Sequence, residues 1–136
     1  MEMITVATTI GAPIEMVWTC WTEPTHIMQW NNASPDWHTP YSENDARTGG
    51  NFKSTMAARD GSMSFDFEGV YSHVQPQKLI EYAMADGRKV KIEFQSNTDG
   101  VKVIESFDPE SENSIELQRG GWQAILDNFK KYVESI

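Results

Sequence analysis

The fold of this chain is decided by the stretch that runs from residue 113 to residue 135, NSIELQRGGWQAILDNFKKYVES. Its apolar side chains recur at the i, i+3, i+4 and i+7 spacing of one face of an α-helix. They are Trp122, Ile125, Leu126, Phe129, Tyr132 and Val133. Asn113 and Glu116 resemble a capping box, which predicts that the helix begins at this point. About 22 helical residues span about 33 Å, which is long enough to cross an entire sheet.

Gly120 and Gly121 lie inside this helical pattern, immediately before Trp122. A glycine in a helix interior costs about 1 kcal/mol relative to alanine, so two adjacent glycines need an explanation. Three explanations stay open at this point: the close approach of another backbone, room for a ligand, or a helix that begins only after the pair.

The segment that precedes this helix has the alternation and the turn residues of an antiparallel sheet. Residues 3–10 alternate as a half-buried strand does, with Ile4, Val6, Thr8 and Ile10 on one face. Five further strands are predicted at 51–59, 63–75, 78–84, 89–96 and 101–107. Several of them are separated by Asp-Gly pairs, which are typical of tight hairpin turns. These pairs are Asp60-Gly61, Asp86-Gly87 and Asp99-Gly100.

Two short helices are predicted between the first strand and the rest of the sheet. Pro13 suits the first turn of a helix, and apolar residues at helical spacing follow it. A second start is marked by Thr22 and Pro24. Residues 31–44 are rich in turn formers, which predicts an irregular connection that contains Trp37. A short strand is expected before Gly49-Gly50, where a tight turn or bulge separates it from the strand that begins near Asn51.

These elements predict an α+β fold with a single domain over residues 1–136. A curved antiparallel sheet of six or seven strands would wrap around the long C-terminal helix. Because such a sheet twists and coils, it cannot touch a straight helix everywhere, and an apolar cavity is expected between the two. Five Trp, six Phe and four Tyr supply the large rings that are typical of cavity walls.

Four groups of residues follow one another in a specific order along nearly the whole chain. They are Pro13-x-x-x-Val17-Trp18 with Trp21, Thr22-Glu23-Pro24 and Trp30; Arg47-x-Gly49-Gly50-x-Phe52; Glu68-Gly69-Val70 with Leu79-Ile80-x-Tyr82; and Gly121-Trp122-x-x-Ile125-Leu126-x-Asn128-Phe129-x-x-Tyr132. Together they resemble the SRPBCC (START-like, Bet v 1-like) superfamily. Within it, they resemble the activator of heat-shock protein 90 ATPase homologue-like family, C-terminal domain type. The resemblance implies the helix-grip fold and a hydrophobic cavity between the sheet and the C-terminal helix.

The chain departs from the family pattern after Trp30. It has Asn31-Asn32-Ala33-Ser34-Pro35 where the family often has a second Trp and a Gly-Pro. The mouth of the cavity is therefore expected to differ in polarity. The eukaryotic cochaperone of the family carries a separate N-terminal domain that is absent here, so chaperone activation is not expected to carry over. A chaperone partner and a homodimer both stay open.

The charge and composition of the chain argue against nucleic acid and membranes as binding partners. The chain has 20 acidic and 11 basic residues and a net charge of −9, and no run of basic residues is longer than two, as at Lys130-Lys131. Binding to nucleic acid or to anionic membranes is not expected, because both need clustered basic residues. No apolar run approaches the about 20 residues that span a bilayer, and the N-terminus lacks the pattern of a secretory signal. With Cys20 as the only cysteine, a cytoplasmic location is expected.

The sequence offers few candidates for reactive groups. His26, His38 and His73 are far apart and lack partners at ligand spacing, so no metal site and no cofactor are expected. Cys20 falls near the buried stripe of the first helix, where a free cysteine acts as a small apolar filler rather than as a nucleophile.

Glu105 is the carboxyl group that alternation turns inward. It shares parity with Val101, Val103 and Phe107, so it is expected on the inner face of the sheet. Burial there would raise its pKa, and the group could anchor a ligand or exchange a proton. Asp66 and Glu68 alternate with phenylalanines and are expected to face solvent, unless a bulge at Gly69 reverses the faces beyond it.

The preferred interpretation is a binding module for a hydrophobic or amphipathic small molecule. The expected cavity lining consists of Trp18, Trp30, Trp37, Phe52, Phe65, Phe67, Tyr82, Phe94, Glu105, Phe107, Trp122 and Leu126. One alternative is a small enzyme of the cyclase or hydrolase type that uses the same cavity, although no catalytic residue is assigned and enzymatic activity is not favoured. The other alternative is a protein-interaction module linked to chaperones, which a large exposed apolar patch would indicate.

Overall fold

The computed structural model describes residues 2–136, which form seven strands and three helices. In chain order the elements are β1 (Ile4–Ile10), α1 (Ile14–Thr22), α2 (Pro24–Trp30), β2 (Trp37–Asn44), β3 (Asn51–Ala58), β4 (Ser64–Gln75), β5 (Leu79–Met84), β6 (Lys89–Asn97), β7 (Gly100–Phe107) and α3 (Ile115–Ser135). No helix among these residues has the length and apolar character needed to cross a membrane.

The seven strands form one antiparallel sheet in the order β1-β7-β6-β5-β4-β3-β2. Strands β2 to β7 follow one another as a meander, and β1 lies beside β7 at one edge. Helices α1 and α2 connect the two edge strands, β1 and β2, and the sheet curls as a half-barrel around α3. The predicted α+β helix-grip fold is confirmed.

Alternation along the strands places apolar residues on the inner face, as expected. Val90, Ile92 and Phe94 of β6 are buried, whereas Lys89 and Lys91 on the same strand are exposed. The outward orientation expected for Asp66 and Glu68 is also confirmed, since both are exposed on β4. The bulge at Gly69 that would have reversed the faces does not occur, because the irregularity in β4 falls between Tyr71 and His73.

The prediction that residues 31–44 form an irregular connection is wrong for its second half. Strand β2 occupies Trp37–Asn44 and pairs with β3. Pro40 is tolerated there because β2 is an edge strand, and the pairing register shifts between His38 and Tyr41, around the proline. The turn after β2 contains Gly50, whose N–H donates to the carbonyl of Arg47 at 2.8 Å.

The expected capping box of Asn113 and Glu116 is also wrong. Helix α3 is capped by Ser114, whose hydroxyl accepts a hydrogen bond from the Leu117 N–H at 3.1 Å. Asn113 instead donates its side-chain amide to the carboxylate of Glu110, one turn earlier in the preceding loop. The sequence pattern located the start of the helix to within one residue but selected the wrong capping side chain.

Helix α3 lies along β1 rather than across the middle of the sheet. Side chains on one face of α3 hydrogen-bond to backbone atoms of β1 and of the residue after it. The bonds run from Gln123 Nε2 to Ala7 O (3.2 Å), from Lys130 Nζ to Thr9 O (2.6 Å) and from Gly11 N to Glu134 Oε2 (2.8 Å). On its other side, α3 is tied to the α2 region by Asn128, which donates to the carbonyl of Asn32 at 2.7 Å. These attachments leave β3, β4 and β5 to curl away from the helix backbone.

Gly120 and Gly121 lie inside α3, so the explanation of a later helix start is wrong. A Cβ added at either position would have no neighbouring heavy atom within 4 Å, which also removes close backbone approach as the explanation. Neither glycine lines the cavity described below. Nothing in the structure explains the pair.

We predict that Gly120→Ala raises the free energy of unfolding by about 1 kcal/mol, because alanine restricts the unfolded chain and fits the helix. Gly87→Ala is the matched control. That position is equally open, but its φ is +91°, which disfavours a side chain. Urea denaturation should therefore show shifts of opposite sign for the two variants. A loss of stability in Gly120→Ala would mean that α3 needs a glycine there.

Candidate functional site

A cavity of about 500 Å³ lies between the inner face of the sheet and α3. Residues from all three helices and from strands β2 to β7 line it. The lining is mainly aromatic and aliphatic, with a few polar groups. Most of these residues lie on the inner face of a strand, so their direction follows from the alternation of the sheet.

Four aromatic rings pack together beside the cavity, and two of them, Trp21 and Trp30, also line it. Trp21 of α1 and Trp30 of α2 lie 5.0 Å apart between ring centroids, and both pack edge-on against Phe129 of α3 at 4.8 and 4.7 Å. Phe94 of β6 packs against Trp21 at 5.7 Å. We call these four residues the aromatic plug. The Trp30 indole N–H donates to the carbonyl of Cys20 at 2.9 Å, which fixes that ring.

A second set of rings forms the wall between α3 and the central strands. Trp122 of α3 stacks on Phe107 at 4.0 Å with an angle of 9° between the planes. Its other neighbour is Phe67 of β4, at 6.3 Å, and Phe52 and Tyr82 continue the series with centroids 4.7 Å apart. The contact between Trp122 and Phe67 is the only ring contact described between α3 and β4 in residues 2–136. We call Trp122, Phe107, Phe67, Phe52 and Tyr82 the aromatic wall. It bridges the gap that the curl of the sheet opens.

The cavity reaches the surface beside the connection between α2 and β2. Ala33 and Phe65 both line it and are exposed, Phe65 with half of its surface in contact with solvent. Trp37 packs against Phe65 at 5.9 Å and flanks the same opening. Asn31 and Ser34 add polar atoms there. The departure from the family pattern after Trp30 therefore falls at the cavity mouth.

The structure brings together eight of the twelve residues expected at the cavity. They are Trp30, Trp37, Phe52, Phe65, Phe67, Tyr82, Glu105 and Trp122. The other four, Trp18, Phe94, Phe107 and Leu126, lie outside the lining. Phe94, Phe107 and Leu126 are buried core, and Trp18 packs edge-on against Phe94 at 5.4 Å. The spacing of residues in the sequence predicts on which face of a strand or helix a side chain lies. It does not predict whether another ring covers that side chain and separates it from the cavity.

Sequence reasoning missed several lining residues that share the inner face with predicted ones. Ile80 is two residues before Tyr82 on β5, and Ile92 is two residues before Phe94 on β6. Ser54 and Met56 follow Phe52 on β3 in the same way. The predicted lining consisted mainly of aromatic residues and therefore lacked these four. The alternation that places their neighbours on the inner face places them there too.

Glu105 is the most enclosed carboxyl group of the cavity. Its side chain lies on the inner face of β7, and the residue is only 7% exposed. Burial raises its pKa from the ordinary value of 4.5 to about 8, and no hydrogen bond or charge among residues 2–136 offsets that rise. The inward orientation predicted for Glu105 is confirmed. At neutral pH the carboxyl is therefore mainly protonated.

Two further polar features face the same cavity. Burial raises the pKa of the Tyr82 hydroxyl well above its ordinary value of 10.0, and the nearby Glu105 adds to the rise. Ser42 and Ser54 pair their hydroxyls at 3.1 Å across β2 and β3. The two serines satisfy each other, whereas no side-chain hydrogen bond is described for Tyr82 or Glu105 in residues 2–136.

The other candidates for reactive groups do not join the site. Cys20 is buried in the core, and its burial raises the pKa of the thiol, which disfavours the reactive thiolate. Its expected role as an apolar filler agrees with this position. His26 is engaged by the Tyr132 hydroxyl at 2.6 Å. Among residues 2–136, no cluster of His, Cys, Asp and Glu has a geometry that could hold a metal ion.

Comparison with known proteins places this geometry in a family. A family model described as "Activator of Hsp90 ATPase homolog 1-like protein" matches residues 11–134. No curated protein matches the chain.

Similar solved structures include two bacterial proteins with substantial sequence identity. The solution structure of an AHSA1-like protein from Aeromonas hydrophila is 44% identical with a TM-score of 0.92, and the match covers 98% of this chain and 92% of that one. A protein from Cytophaga hutchinsonii is 56% identical with a TM-score of 0.85 and the same coverage. A third structure, from Chromobacterium violaceum, is 22% identical with a TM-score of 0.86, covers 98% and 99% of the two chains, and shows the fold alone.

Titration of Glu105 gives a testable dependence of stability on pH. The folded chain holds this proton up to a pKa of about 8, whereas an ordinary glutamate releases it near 4.5. Its contribution to stability is thus complete below about pH 4.5 and decreases by up to about 1.4 kcal/mol per pH unit as the pH rises toward 8. Because Glu105→Gln removes this titration, we predict that its unfolding free energy, relative to wild type, increases over that window.

Urea denaturation at a series of pH values measures this difference. Glu68→Gln, on the exposed side of β4, is the matched control. A difference between Glu105→Gln and wild type that stays constant with pH would contradict the burial of an unpartnered carboxyl. So would a pH-dependent gain of equal size in Glu68→Gln.

Proposed function

The chain belongs to the family of Activator of Hsp90 ATPase homolog 1-like proteins, and from that premise we propose that it binds a hydrophobic or amphipathic small molecule in the cavity between the sheet and α3. The observation that carries this proposal is the cavity of about 500 Å³ with its aromatic lining. Typical ligand sites occupy about 300 to 1,000 Å³ and combine apolar walls with a few polar groups.

The binding energy would come mainly from apolar burial, at about 25 cal/mol for each Å² removed from water. Trp122 and Phe67, in the aromatic wall, offer rigid surfaces: Trp122 is stacked on Phe107, and Phe67 contacts Trp122 edge-on. Because these rings lose little freedom when a ligand arrives, their ordering costs little on binding. Tyr82 and Glu105 would then orient the polar end of the ligand.

The ligand site that we propose consists of the residues that were predicted from the sequence and that the fold brings to the cavity. They are Trp30, Trp37, Phe52, Phe65, Phe67, Tyr82, Glu105 and Trp122. Trp37 and Phe65 would contact the ligand at the mouth, and Trp30 would contact it beside the aromatic plug. A homodimer and a chaperone partner stay predictions.

Catalysis is the alternative that Glu105 keeps open, because a carboxyl with a pKa of about 8 can exchange a proton near neutral pH. General acid–base chemistry also needs a second group that takes part in the reaction, and no ionisable group among residues 2–136 is hydrogen-bonded to Glu105. We therefore favour binding over catalysis.

Titration with decanol, followed by tryptophan fluorescence, tests the proposal. Decanol is neutral and amphipathic, and Trp21, Trp30, Trp37 and Trp122 all line the cavity, so binding should change the emission. We predict saturable binding, and we predict that Ala33→Phe weakens it by at least about tenfold, equivalent to about 1.4 kcal/mol. The added ring would obstruct the mouth at an exposed loop position, where the fold is little affected.

The matched control is Ala85→Phe, which places the same side chain at an exposed position in the turn after β5, outside the lining. It should bind decanol as wild type does. An emission spectrum that decanol leaves unchanged, or equal affinities of the two phenylalanine variants, would contradict binding in this cavity.

A further inference from the structure

The Glu105 carboxyl borders the cavity, and no hydrogen bond to it is described among residues 2–136. In the same part of the chain, every fully enclosed side-chain nitrogen or oxygen atom has a hydrogen-bond partner. The Glu105 oxygens are not among those atoms, because they face the open volume of the cavity. A carboxyl in a mainly apolar cavity costs stability unless it finds a hydrogen-bond donor, so its position points to a ligand that supplies one.

The charged and titratable groups around the cavity show which donor would fit. Arg88 is the one cation of the lining in residues 2–136, and its Nε already donates to Asp86 at 2.7 Å. Arg88 does not contribute to the raised pKa of Glu105, which is due to desolvation alone. The remaining titratable lining groups are Glu43, which is exposed, and the hydroxyls of Tyr71 and Tyr82. Among residues 2–136, the Glu105 carboxylate therefore has no counter-ion.

The walls near Glu105 also suit a positive charge. Phe67, Tyr82 and Trp122 border the same cavity as Glu105 and can present ring surfaces to it. Aromatic faces attract ammonium groups, and the attraction reaches about 2 kcal/mol when the cation is removed from water. The net charge of −9 over the whole chain adds a long-range attraction for cations.

Resting on the proposed binding function, we propose that the cavity selects an amphipathic amine. Its ammonium group is the counter-ion of the Glu105 carboxylate, it lies against the aromatic wall, and its apolar body fills the remaining volume. The Tyr82 hydroxyl accepts a hydrogen bond from the same ammonium group.

Binding of this kind is coupled to release of a proton. Because the pKa of Glu105 is about 8, the carboxyl is mostly protonated at neutral pH and must ionise before it can pair with an ammonium ion. The ligand enters as the ammonium, the Glu105 O–H bond breaks, and one proton leaves to solvent. Affinity for the amine therefore rises by up to about tenfold per pH unit below the pKa of Glu105 and levels off above it.

Three probes with the same alkyl chain test the proposal: decylamine, decanol and decanoate, each below the concentration at which it forms micelles. Tryptophan fluorescence should show that wild type prefers decylamine to decanol at about pH 8, and decanol to decanoate. The preference for the amine should shrink by up to about tenfold for each pH unit of acidification. Decanol affinity should change little over the same range.

Glu105→Gln should abolish the preference for decylamine while it keeps decanol binding, because glutamine has the same shape without the charge. Glu43→Gln is the matched control, since Glu43 is the other acidic residue of the lining and lies exposed on β2. This variant should keep the preference. Retained decanol binding also reports that each variant is folded.

The outcomes separate this inference from the function on which it rests. If wild type binds none of the three probes, the proposed binding function is wrong. If it binds decanol but prefers no amine, or if Glu105→Gln keeps the amine preference, the selection of amines is wrong and binding stands. If Glu43→Gln loses the preference as fully as Glu105→Gln does, the attraction comes from surface charge, which also overturns the inference.

Discussion

The attachment of α3 to β1 is the constraint on which the rest of the structure depends. Hydrogen bonds from Gln123 and Lys130 to the β1 backbone hold the helix along one edge of the sheet. Since the sheet curls, its far strands lie away from the helix backbone, and Trp122 reaches across to Phe67 to bridge the gap. The cavity is the volume that this bridge leaves unfilled. If α3 crossed the centre of the sheet, its side chains would fill that volume.

The cavity accounts for the unusual state of Glu105. An inward position on β7 would carry valine or isoleucine in a core built for stability alone, as its neighbours Val101 and Val103 do. A buried carboxyl costs stability unless it is protonated or paired, and sites that break a local rule are where function is expected. The aromatic plug of Trp21, Trp30, Phe94 and Phe129 packs beside the cavity, which opens to solvent at exposed lining residues such as Phe65. Enclosure and access to solvent are the features that support the proposed binding site.

Much of this architecture could be predicted from the sequence, because it follows from the local periodicity of apolar residues. The strands from β3 to β7, the span of α3 and the inward orientation of Glu105 all follow from alternation or helical spacing. The bounds of strand β2 could not be predicted in this way, since turn formers fall within the strand and its pairing with β3 is not visible in the local pattern. Parity also could not separate Phe107, which Trp122 covers, from Tyr82, which borders the cavity, because coverage depends on tertiary packing.

The most direct test of the account is crystallography under xenon pressure. Xenon enters apolar cavities and reports their position through anomalous scattering. We predict bound xenon between Trp122, Phe67 and Met56, inside the half-barrel. Crystals with no xenon at this place, and with aromatic side chains of the protein itself in the volume, would contradict a ligand-accessible cavity between α3 and the sheet.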